Sequence, residues 1–382
     1  MSRVPTLSTA SGARRLFERA FGLGPVSPPP HAFAIDGVPG SGPAHGAAAD
    51  GAAGDGAAAS PGRWRLRYAG FRREGQMLVP IETAEVDLPA EAIGSGLLGA
   101  PGREPARLEA AVAELVGSLD ETVREASLVV PDAWLRVAFT DVAELPSGAQ
   151  REEVLRWKLK RLVPFRVDEL RLTSTEVAPL PLQPSEEPRR VLLGFGVDSL
   201  LAQLEDAFAA AGVRIGRITS ASLALVAALR RSAAAAGSEA GVRPSAGGAD
   251  LYADGPQLTA VVLVDGGGYT LAFVRDGEPV IHRHKGFAGS LPEEAQGGFV
   301  GRDLRLTRSF LDEQLPGAEV ARAVVAAPPE SVSRWIGWLD ETLGTRAEPL
   351  GREHLPPMPA LAPPPAWREL APLVGAVTEE VR

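Results

Sequence analysis

The stretch AVVLVDGGGYTLAFVRDGEPVIHRH, residues 260–284, is the strongest local signal in the sequence. An apolar run reaches Asp265, three glycines follow, and Thr270 begins the returning strand. Glycine N–H groups can approach a phosphate because no Cβ is in the way, and an Asp at a strand end can hold Mg²⁺ through its water shell. Asp-Gly pairs are also common in ordinary hairpin turns. The pattern predicts a phosphate-binding hairpin over Val261–Val280, with candidate residues Asp265, Gly266, Gly267, Gly268 and Thr270.

A coarse duplication of this pattern lies near the start of the chain. The short apolar strand His31–Asp36 leads into Gly37, and a further strand follows after an interruption. The interruption, Pro39–Gly62, is mostly Ala and Gly and contains no large aliphatic or aromatic residue. Such a stretch cannot bury enough apolar area to offset its ordering entropy. We therefore predict a flexible insertion between two strands.

Composition narrows the class of protein. The chain has 382 residues, 45% of them hydrophobic, which allows two domains or one large lobed domain. It contains no Cys, which excludes disulfides, thiolate metal sites and Cys nucleophiles, and its net charge of −9 argues against nucleic acid as a main partner. No apolar run approaches the roughly 18 residues of a membrane span, and the N-terminus lacks the apolar core of a secretory signal. The expected location is the cytoplasm.

Common catalytic and metal-binding motifs are missing from the sequence. There is no P-loop, no Gly-x-Ser-x-Gly elbow, no His-Glu-x-x-His and no zinc-finger spacing. His282 and His284 would share one face of a strand, and we interpret them as surface residues rather than as a metal site. No catalytic residue and no metal ligand is predicted.

A second informative stretch is EEVLRWKLKRLVPFRVDELRL, residues 152–172. The periodicity predicts a helix over Glu152–Val163, with Leu155, Leu159 and Leu162 on one stripe. Basic residues lie on its other faces, and Trp157 lies between the stripe and solvent. A solvated face is the ordinary interpretation of such charges, but a Trp beside a basic face also suits the docking of a partner.

Periodicity and turn signals predict alternating strands and helices along the rest of the chain. Gly12–Leu23 reads as an amphipathic helix that either packs on its own domain or contacts a membrane or partner. The other predicted helices are 105–119, 199–211, 220–231, 304–314 and 329–343, and the other predicted strands are 63–68, 76–86, 125–130, 134–139 (as a hairpin with 125–130), 190–195, 258–264, 269–275 and 279–283.

The order of these segments resembles the PilM-like proteins of type IV pilus assembly, which belong to the actin-like ATPase superfamily. Four stretches carry the resemblance: Ser127–Val137, Glu153–Leu170, Arg190–Arg231 and Val261–Arg283. The most specific is the helix that ends in Pro-Phe and Asp-Glu. Together the likeness covers most of residues 31–344.

The resemblance implies an α/β actin-like ATPase fold, two-lobed and ribonuclease H-like, with an inserted α+β subdomain in the first lobe. It also implies ATP and Mg²⁺ between the lobes, with Asp36 and Gly37 as a first phosphate loop and the 265–270 loop as a second. The implied divisions are 1–30 (amphipathic helix and linker), 31–102 and 183–232 (first lobe, with 38–62 as the flexible insertion), 103–182 (inserted subdomain), 233–256 (linker), 257–350 (second lobe) and 351–382 (Pro-rich segment and final helix).

The resemblance further implies a partner. Members of this family lie at the cytoplasmic face of the inner membrane and grip the N-terminal tail of the membrane protein PilN, in a groove between the first lobe and the inserted subdomain. Contacts to a motor ATPase or platform protein are possible as well. The residues predicted on this basis to bind the partner are Leu128, Val130, Trp134, Trp157, Lys160 and Arg161.

Two of the three nucleotide elements depart from the family pattern. Asp36-Gly37 is followed by the Ala/Gly insertion, with no Lys close behind. The strand Ala321–Ala327 is followed by Pro328 and Pro329 where paired glycines are expected, and Pro has no N–H to offer. The second lobe after Gly289 is also short. We therefore regard the nucleotide residues as vestigial and expect no ATP turnover.

The leading hypothesis is a scaffold of a type IV pilus inner-membrane complex that binds a PilN-like tail. The alternatives are a functional ATP-binding actin-like protein, a type II secretion platform component, and an actin-like sugar or metabolite kinase. The last has no sequence feature in its favour.

Overall fold

The structure is a computed structural model that describes residues 28–38, 63–75, 77–89, 104–142, 149–163, 166–177, 189–239, 257–265, 267–287, 293–361 and 366–378. The predicted helix Gly12–Leu23, the Ala/Gly stretch 39–62 and residue Gly266 lie outside the described residues.

Thirteen strands and seven α-helices are present in the described part of the chain. The strands are β1 His31–Val38, β2 Arg63–Glu74, β3 Met77–Leu88, β4 Glu125–Val130, β5 Arg136–Val142, β6 Leu170–Val177, β7 Arg189–Val197, β8 Arg214–Ser220, β9 Gln257–Asp265, β10 Gly268–Arg275, β11 Glu278–Gly286, β12 Glu319–Ala326 and β13 Ala347–Pro349. The helices are α1 Pro105–Gly117, α2 Ala149–Lys160, α3 Asp198–Ala210, α4 Ala221–Glu239, α5 Glu293–Gln314, α6 Pro329–Leu343 and α7 Trp367–Thr378.

Two five-stranded sheets form the centres of two lobes, and they share one topology. The first has the order β3-β2-β1-β4-β8 and the second the order β11-β10-β9-β12-β13. In each, the first strand pairs antiparallel with the second and parallel with the fourth. The duplication predicted from the two Asp-Gly patterns is therefore confirmed at the level of whole sheets.

The central strands read as apolar runs because both of their faces are covered. In β9 every residue from Ala260 to Val264 is buried, and its even and odd positions enter different hydrophobic clusters. A strand buried on both faces loses the alternation that marks a half-exposed strand. Turn residues fix the hairpin between β10 and β11, where Asp276 (φ 52°) and Gly277 (φ 79°) form the predicted turn.

The inserted subdomain is smaller than predicted. It is a three-stranded antiparallel sheet of order β5-β7-β6 with α2 packed on it, around buried Leu155, Leu159 and Leu193. β4 and α1, which the sequence placed in this subdomain, belong to the sheet and core of the first lobe. β7, which the sequence placed in the first lobe, lies in the inserted sheet.

The predicted hairpin between 125–130 and 134–139 is wrong. β4 pairs with β1 and β8, whereas β5 pairs with β7 in the inserted sheet. The Pro131-Asp132 pair that suggested a hairpin turn is instead the crossing from one sheet to the other. The physical reason is that β4 is a central strand and both of its edges are already filled.

Helices α4 and α7 lie between the two sheets. One hydrophobic cluster joins Ala34 of β1, Leu225 of α4, Leu263 of β9 and Val374 of α7. The helices approach so closely that a Cβ on Gly375 would lie 1.7 Å from the carbonyl oxygen of Ala224. The final helix, predicted as part of a separate C-terminal segment, is thus a central part of the lobe packing. No helix in the described residues has the length and apolar character needed to cross a bilayer.

Candidate functional site at the lobe junction

Three carboxylates lie at the carboxyl ends of central strands, where the two lobes meet. Asp36 is near the end of β1, Asp132 follows β4 and Asp265 ends β9. This edge is where open α/β sheets usually bind ligands. Asp132 and Asp265 are close enough to influence each other's ionisation, and Arg136 interacts with both. The sequence analysis had singled out Asp36 and Asp265 but not Asp132.

Asp36 is held by a cation from the returning strand. The Arg67 guanidinium on β2 donates a hydrogen bond to Asp36 Oδ2, and it also reaches Glu85 (Nε to Oε2, 3.0 Å) and Glu369 (Nη2 to Oε1, 3.0 Å). Burial of Arg67 disfavours its charge, but the surrounding carboxylates raise its pKa overall. The sequence has no Lys close behind Asp36. Arg67 on the next strand supplies a cation to this carboxylate instead, and it is bound to protein groups.

Asp132 joins the two lobes through one serine. The N–H of Ser222 on α4 donates to Asp132 Oδ2 at 3.1 Å, and the Ser222 hydroxyl donates to Oδ1. The same hydroxyl lies 2.7 Å from Nε2 of His282 on β11. Burial would raise the pKa of Asp132, but His282, Ser222 and His284 lower it overall. All three side chains are buried, so His282 is not the surface residue that the sequence predicted.

Asp265 is bound by its own hairpin. Its Oδ1 accepts the N–H of Gly267 at 3.0 Å, and the N–H of Gly268 also stabilises the carboxylate. Burial, with a contribution from the charge on Asp132, nevertheless raises the pKa of Asp265 to about 6. The loop N–H groups that a phosphate would use are therefore directed at a carboxylate of the protein.

Packing explains why position 268 is a glycine. A Cβ at this position would lie 2.2 Å from the carbonyl oxygen of Lys285 on the neighbouring strand. Close approach of β10 to β11 thus accounts for this glycine without any ligand. Gly37, in β1, is paired with Trp64 of β2.

Thr270 and His284 form a second polar contact beside the first. Thr270 Oγ1 lies 3.0 Å from His284 Nδ1, across the β10–β11 pair. Burial lowers the pKa of His284 to about 4, because the charged ring would lose its hydration. Thr270 is itself buried, so its hydroxyl is used within the sheet.

The start of α7 contacts residues of both lobes beside Asp36 and Asp265. Glu369 binds Arg67 of the first lobe, while Arg368 Nη1 lies 3.5 Å from the carbonyl oxygen of Val264 in the second. The positive charge of Arg368 also favours the ionised form of both Asp36 and Asp265. Two adjacent residues of one helix thus contact the hairpins of both lobes.

The junction groups that would hold the nucleotide and Mg²⁺ implied by the resemblance already have protein partners. Each of the three carboxylates already accepts protein donors, and Arg67 is committed to three carboxylates. In the part of the chain that the structure describes, no group of three or more His, Cys, Asp or Glu side chains is arranged around a metal position. Pro328 and Pro329 follow β12, as the sequence indicated, and provide no N–H donors there.

The residues predicted to bind a partner divide into two groups. Leu128, Val130 and Trp134 are at most 1% exposed and lie in the core of the first lobe, which corrects the prediction for them because they present no surface to a partner. Trp157 is 57% exposed on α2, with the Arg161 guanidinium 5.5 Å from its ring centre. Lys160 is exposed beside them. We call Trp157, Lys160 and Arg161 the α2 edge.

An open groove of about 610 Å³ runs along the same helix. Its floor is Leu155 and Leu172, and its walls are the first turns of α2 and the edge strand β6. Arg151 crosses it at one end, where Nη2 binds Ser174 Oγ at 3.1 Å. β6 pairs only with β7 among the described strands, so its outer edge is open to a further strand.

Sequence reasoning missed Arg67, Ser222 and Arg368 entirely. One signal could have found Arg67: Arg65 and Arg67 alternate with Trp64, Leu66 and Tyr68 in a strand that follows Asp36. No local signal marks Ser222, because its partners are Asp132 and His282, each 60 or more residues away.

Comparison with known proteins shows the fold. No protein-family model matches this chain, and no curated protein sequence matches it. Among solved structures, a chain of a PilM–PilN type IV pilus biogenesis complex is similar with a TM-score of 0.59 at 16% identity, covering 82% of this chain and 93% of that one. Together with the repeated sheet topology, this likeness establishes the two-lobed actin-like ATPase fold.

Two further solved structures match more weakly. The ethanolamine utilization protein EutJ from Carboxydothermus hydrogenoformans has a TM-score of 0.40 at 11% identity, covering 93% of this chain and 92% of that one. The cytoplasmic domain of EpsL, an inner membrane component of the type II secretion system of Vibrio cholerae, has a TM-score of 0.36 at 13% identity, covering 84% and 90%.

Proposed function

We propose that this protein is a PilM-like scaffold of a type IV pilus or related secretion machine, and that it binds the N-terminal tail of a PilN-like inner-membrane protein. It acts at the cytoplasmic face of the inner membrane and links the tail to the motor or platform. It does not turn over ATP. The observation that carries the proposal is the contrast between a junction whose carboxylates accept protein donors and an inserted subdomain that exposes an aromatic and basic edge.

The pairing of the junction carboxylates with protein groups supports a scaffold over an ATPase. A bound triphosphate would have to displace the Arg67–Asp36 ion pair, and it would compete with Asp265 for the N–H of Gly267. The Arg67 side chain is largely buried, so leaving its charge without this carboxylate is costly. An ATP-binding protein of this fold remains the alternative, and it requires all of these contacts to open together.

The α2 edge supports the inserted subdomain as the docking surface. Trp157 is a large, exposed aromatic side chain with the Arg161 guanidinium over its ring, and aromatic residues of this type dominate interface energies. Lys158, Lys160 and Arg161 have no carboxylate partner among the described residues, so their charges are available to an acidic partner. The groove beside β6 continues from this helix and could take the tail as an added strand.

Titration calorimetry of the full chain tests the proposal, with a synthetic peptide of the N-terminal tail of a PilN-like protein from the same genome. The peptide should bind one-to-one. The variants Trp157→Ala and Lys160→Glu/Arg161→Glu should weaken binding by about tenfold or more, since each removes a candidate anchor.

Arg214→Glu is the matched control. Arg214 is an exposed cation of the first lobe, paired with Glu125 and distant in sequence from α2, so its charge reversal should leave the affinity unchanged. Absence of binding under conditions where an intact PilM captures its own tail would refute the scaffold function. Equal losses in all three variants would place the tail elsewhere.

A further inference from the structure

The solvent face of α5 in the second lobe carries a row of large, partly exposed apolar side chains. Phe299 is 39%, Leu306 55% and Phe310 42% exposed. They make up three of the six large hydrophobic residues that are exposed in the described part of the chain. Their spacing of seven and four residues places them on one side of the helix. We call them the α5 stripe.

The stripe is separate from the core that the same helix buries. Val300, Leu304 and Leu311 face inward and pack in the second-lobe cluster. Phe299 is held in place at one end by edge contacts with Tyr269 and Phe287, at 6.5 and 6.2 Å between ring centres. The outward row is therefore preorganised by a helix that is already fixed by its inner face.

Charges along the exposed face are divided between its two halves. Arg302 and Arg305 precede Leu306, whereas Asp312 and Glu313 follow Phe310. Asp312 is paired with Arg308 one turn away at 3.0 Å. Arg302, Arg305 and Glu313 have no ion-pair partner among the residues that the structure describes. A face with a basic half and an acidic half is complementary to itself when it is turned end over end.

We propose that the α5 stripe binds a second copy of this chain, with the two α5 helices antiparallel about a two-fold axis near position 308. This arrangement brings Leu306 of each copy against Phe310 of the other. It also brings Arg302 opposite Glu313, and Arg305 opposite Asp312, on both sides of the axis. A parallel pair would place like charges together, so the charge pattern selects the antiparallel dimer.

The expected dimer is weak. One helix face buries less area than the roughly 1,600 Å² of a standard interface, so association should be reversible and visible only as protein concentration rises. The interface lies on the second lobe, whereas the tail is proposed to bind the inserted subdomain. Self-association and tail binding are therefore expected to fail independently of each other.

Analytical ultracentrifugation of the full chain over a concentration series tests this proposal. The wild type should shift from monomer to dimer, and Leu306→Glu should remain monomeric, with an unchanged far-ultraviolet spectrum and melting temperature. Arg302→Glu and Glu313→Arg should each weaken the dimer by about tenfold or more, because each creates two like-charge pairs. The double variant Arg302→Glu/Glu313→Arg should restore it.

Restoration by the double variant is the decisive result, since neither residue has an ion-pair partner among the described residues of its own chain. A wild type that stays monomeric at every concentration would overturn the proposal. A dimer that persists in Leu306→Glu, or a double variant no better than the single ones, would overturn it equally. If this face binds a different protein and the chain does not self-associate, the dimer proposal is wrong.

Discussion

Ser222 Oγ on α4 lies 2.7 Å from His282 Nε2 on β11, so a single buried contact ties the first lobe to the second. The same hydroxyl donates to Asp132, which places a carboxylate, a hydroxyl and an imidazole together where the two sheets meet. The Arg67–Asp36 ion pair and the start of α7 add further protein contacts at the same junction.

Removing the Ser222 hydroxyl should destabilise the fold. In Ser222→Ala, buried Asp132 and His282 both lose a partner, and the expected loss in the free energy of unfolding is about 1–3 kcal/mol. Urea denaturation measures it. Ser199→Ala, on the exposed side of α3, is the control and should stay within about 0.5 kcal/mol of wild type. Equal effects of the two changes would mean that the junction contact is not structural.

Asp265 should make the protein less stable as pH rises through 6. Burial raises its pKa in the folded state to about 6 from an ordinary value of 3.8, so the folded protein holds this proton more tightly than the unfolded chain. The resulting stability is complete below pH 3.8 and is lost by pH 7. Asp265→Asn keeps an acceptor for the Gly267 N–H without the charge, so at pH 7 it should be more stable than wild type by up to about 3 kcal/mol. A destabilised Asp265→Asn at pH 7 would contradict this.

His284 should make the protein less stable as pH falls. Its pKa is lowered to about 4 by burial, from an ordinary value of 6.5, so the folded protein resists protonation that the unfolded chain accepts. The stability due to the neutral ring is complete above pH 6.5 and is lost as pH falls toward 4. His284→Asn should flatten the stability profile across that window by up to about 3 kcal/mol. Unfolding measured between pH 4 and 7 tests this, and parallel profiles for variant and wild type would refute it.

Much of the fold could be predicted from local signals. Helix α6 was predicted with its exact bounds, because Pro329 begins it and Gly344, with a φ of 63°, ends it. β4 was predicted with exact bounds as well. Its pairing was not, because Pro131-Asp132 resembles a hairpin turn, and only the filled edges of β4 direct the chain into another sheet.

The candidate site was less predictable than the fold. Asp36 and Asp265 are marked by the glycines beside them, but what those carboxylates contact depends on Arg67 and on how the lobes pack. His282 was predicted to lie at the surface because the sequence of a strand does not show which element packs on its face. Only the packing of α4 against β11 identifies its partner.

The α4–α7 crossing gives a stability prediction with a matched control. Gly375→Ala places a Cβ 1.7 Å from the Ala224 carbonyl oxygen, so the helices must separate, and the expected loss is at least about 2 kcal/mol. Gly337→Ala, on the exposed face of α6 with open space around its Cβ, should instead stabilise by about 0.5–1 kcal/mol. Thermal or urea unfolding distinguishes them. If both substitutions change the free energy of unfolding in the same direction, contact between the helices does not determine the effect.

The most direct test of a junction that does not bind nucleotide is calorimetric titration of Mg-ATP into the full chain at pH 7. We expect no saturable binding, and no release of phosphate in the same sample, because Arg67, Asp132 and Asp265 are engaged with protein groups. One-to-one binding of Mg-ATP that is lost in Asp265→Asn would contradict the account.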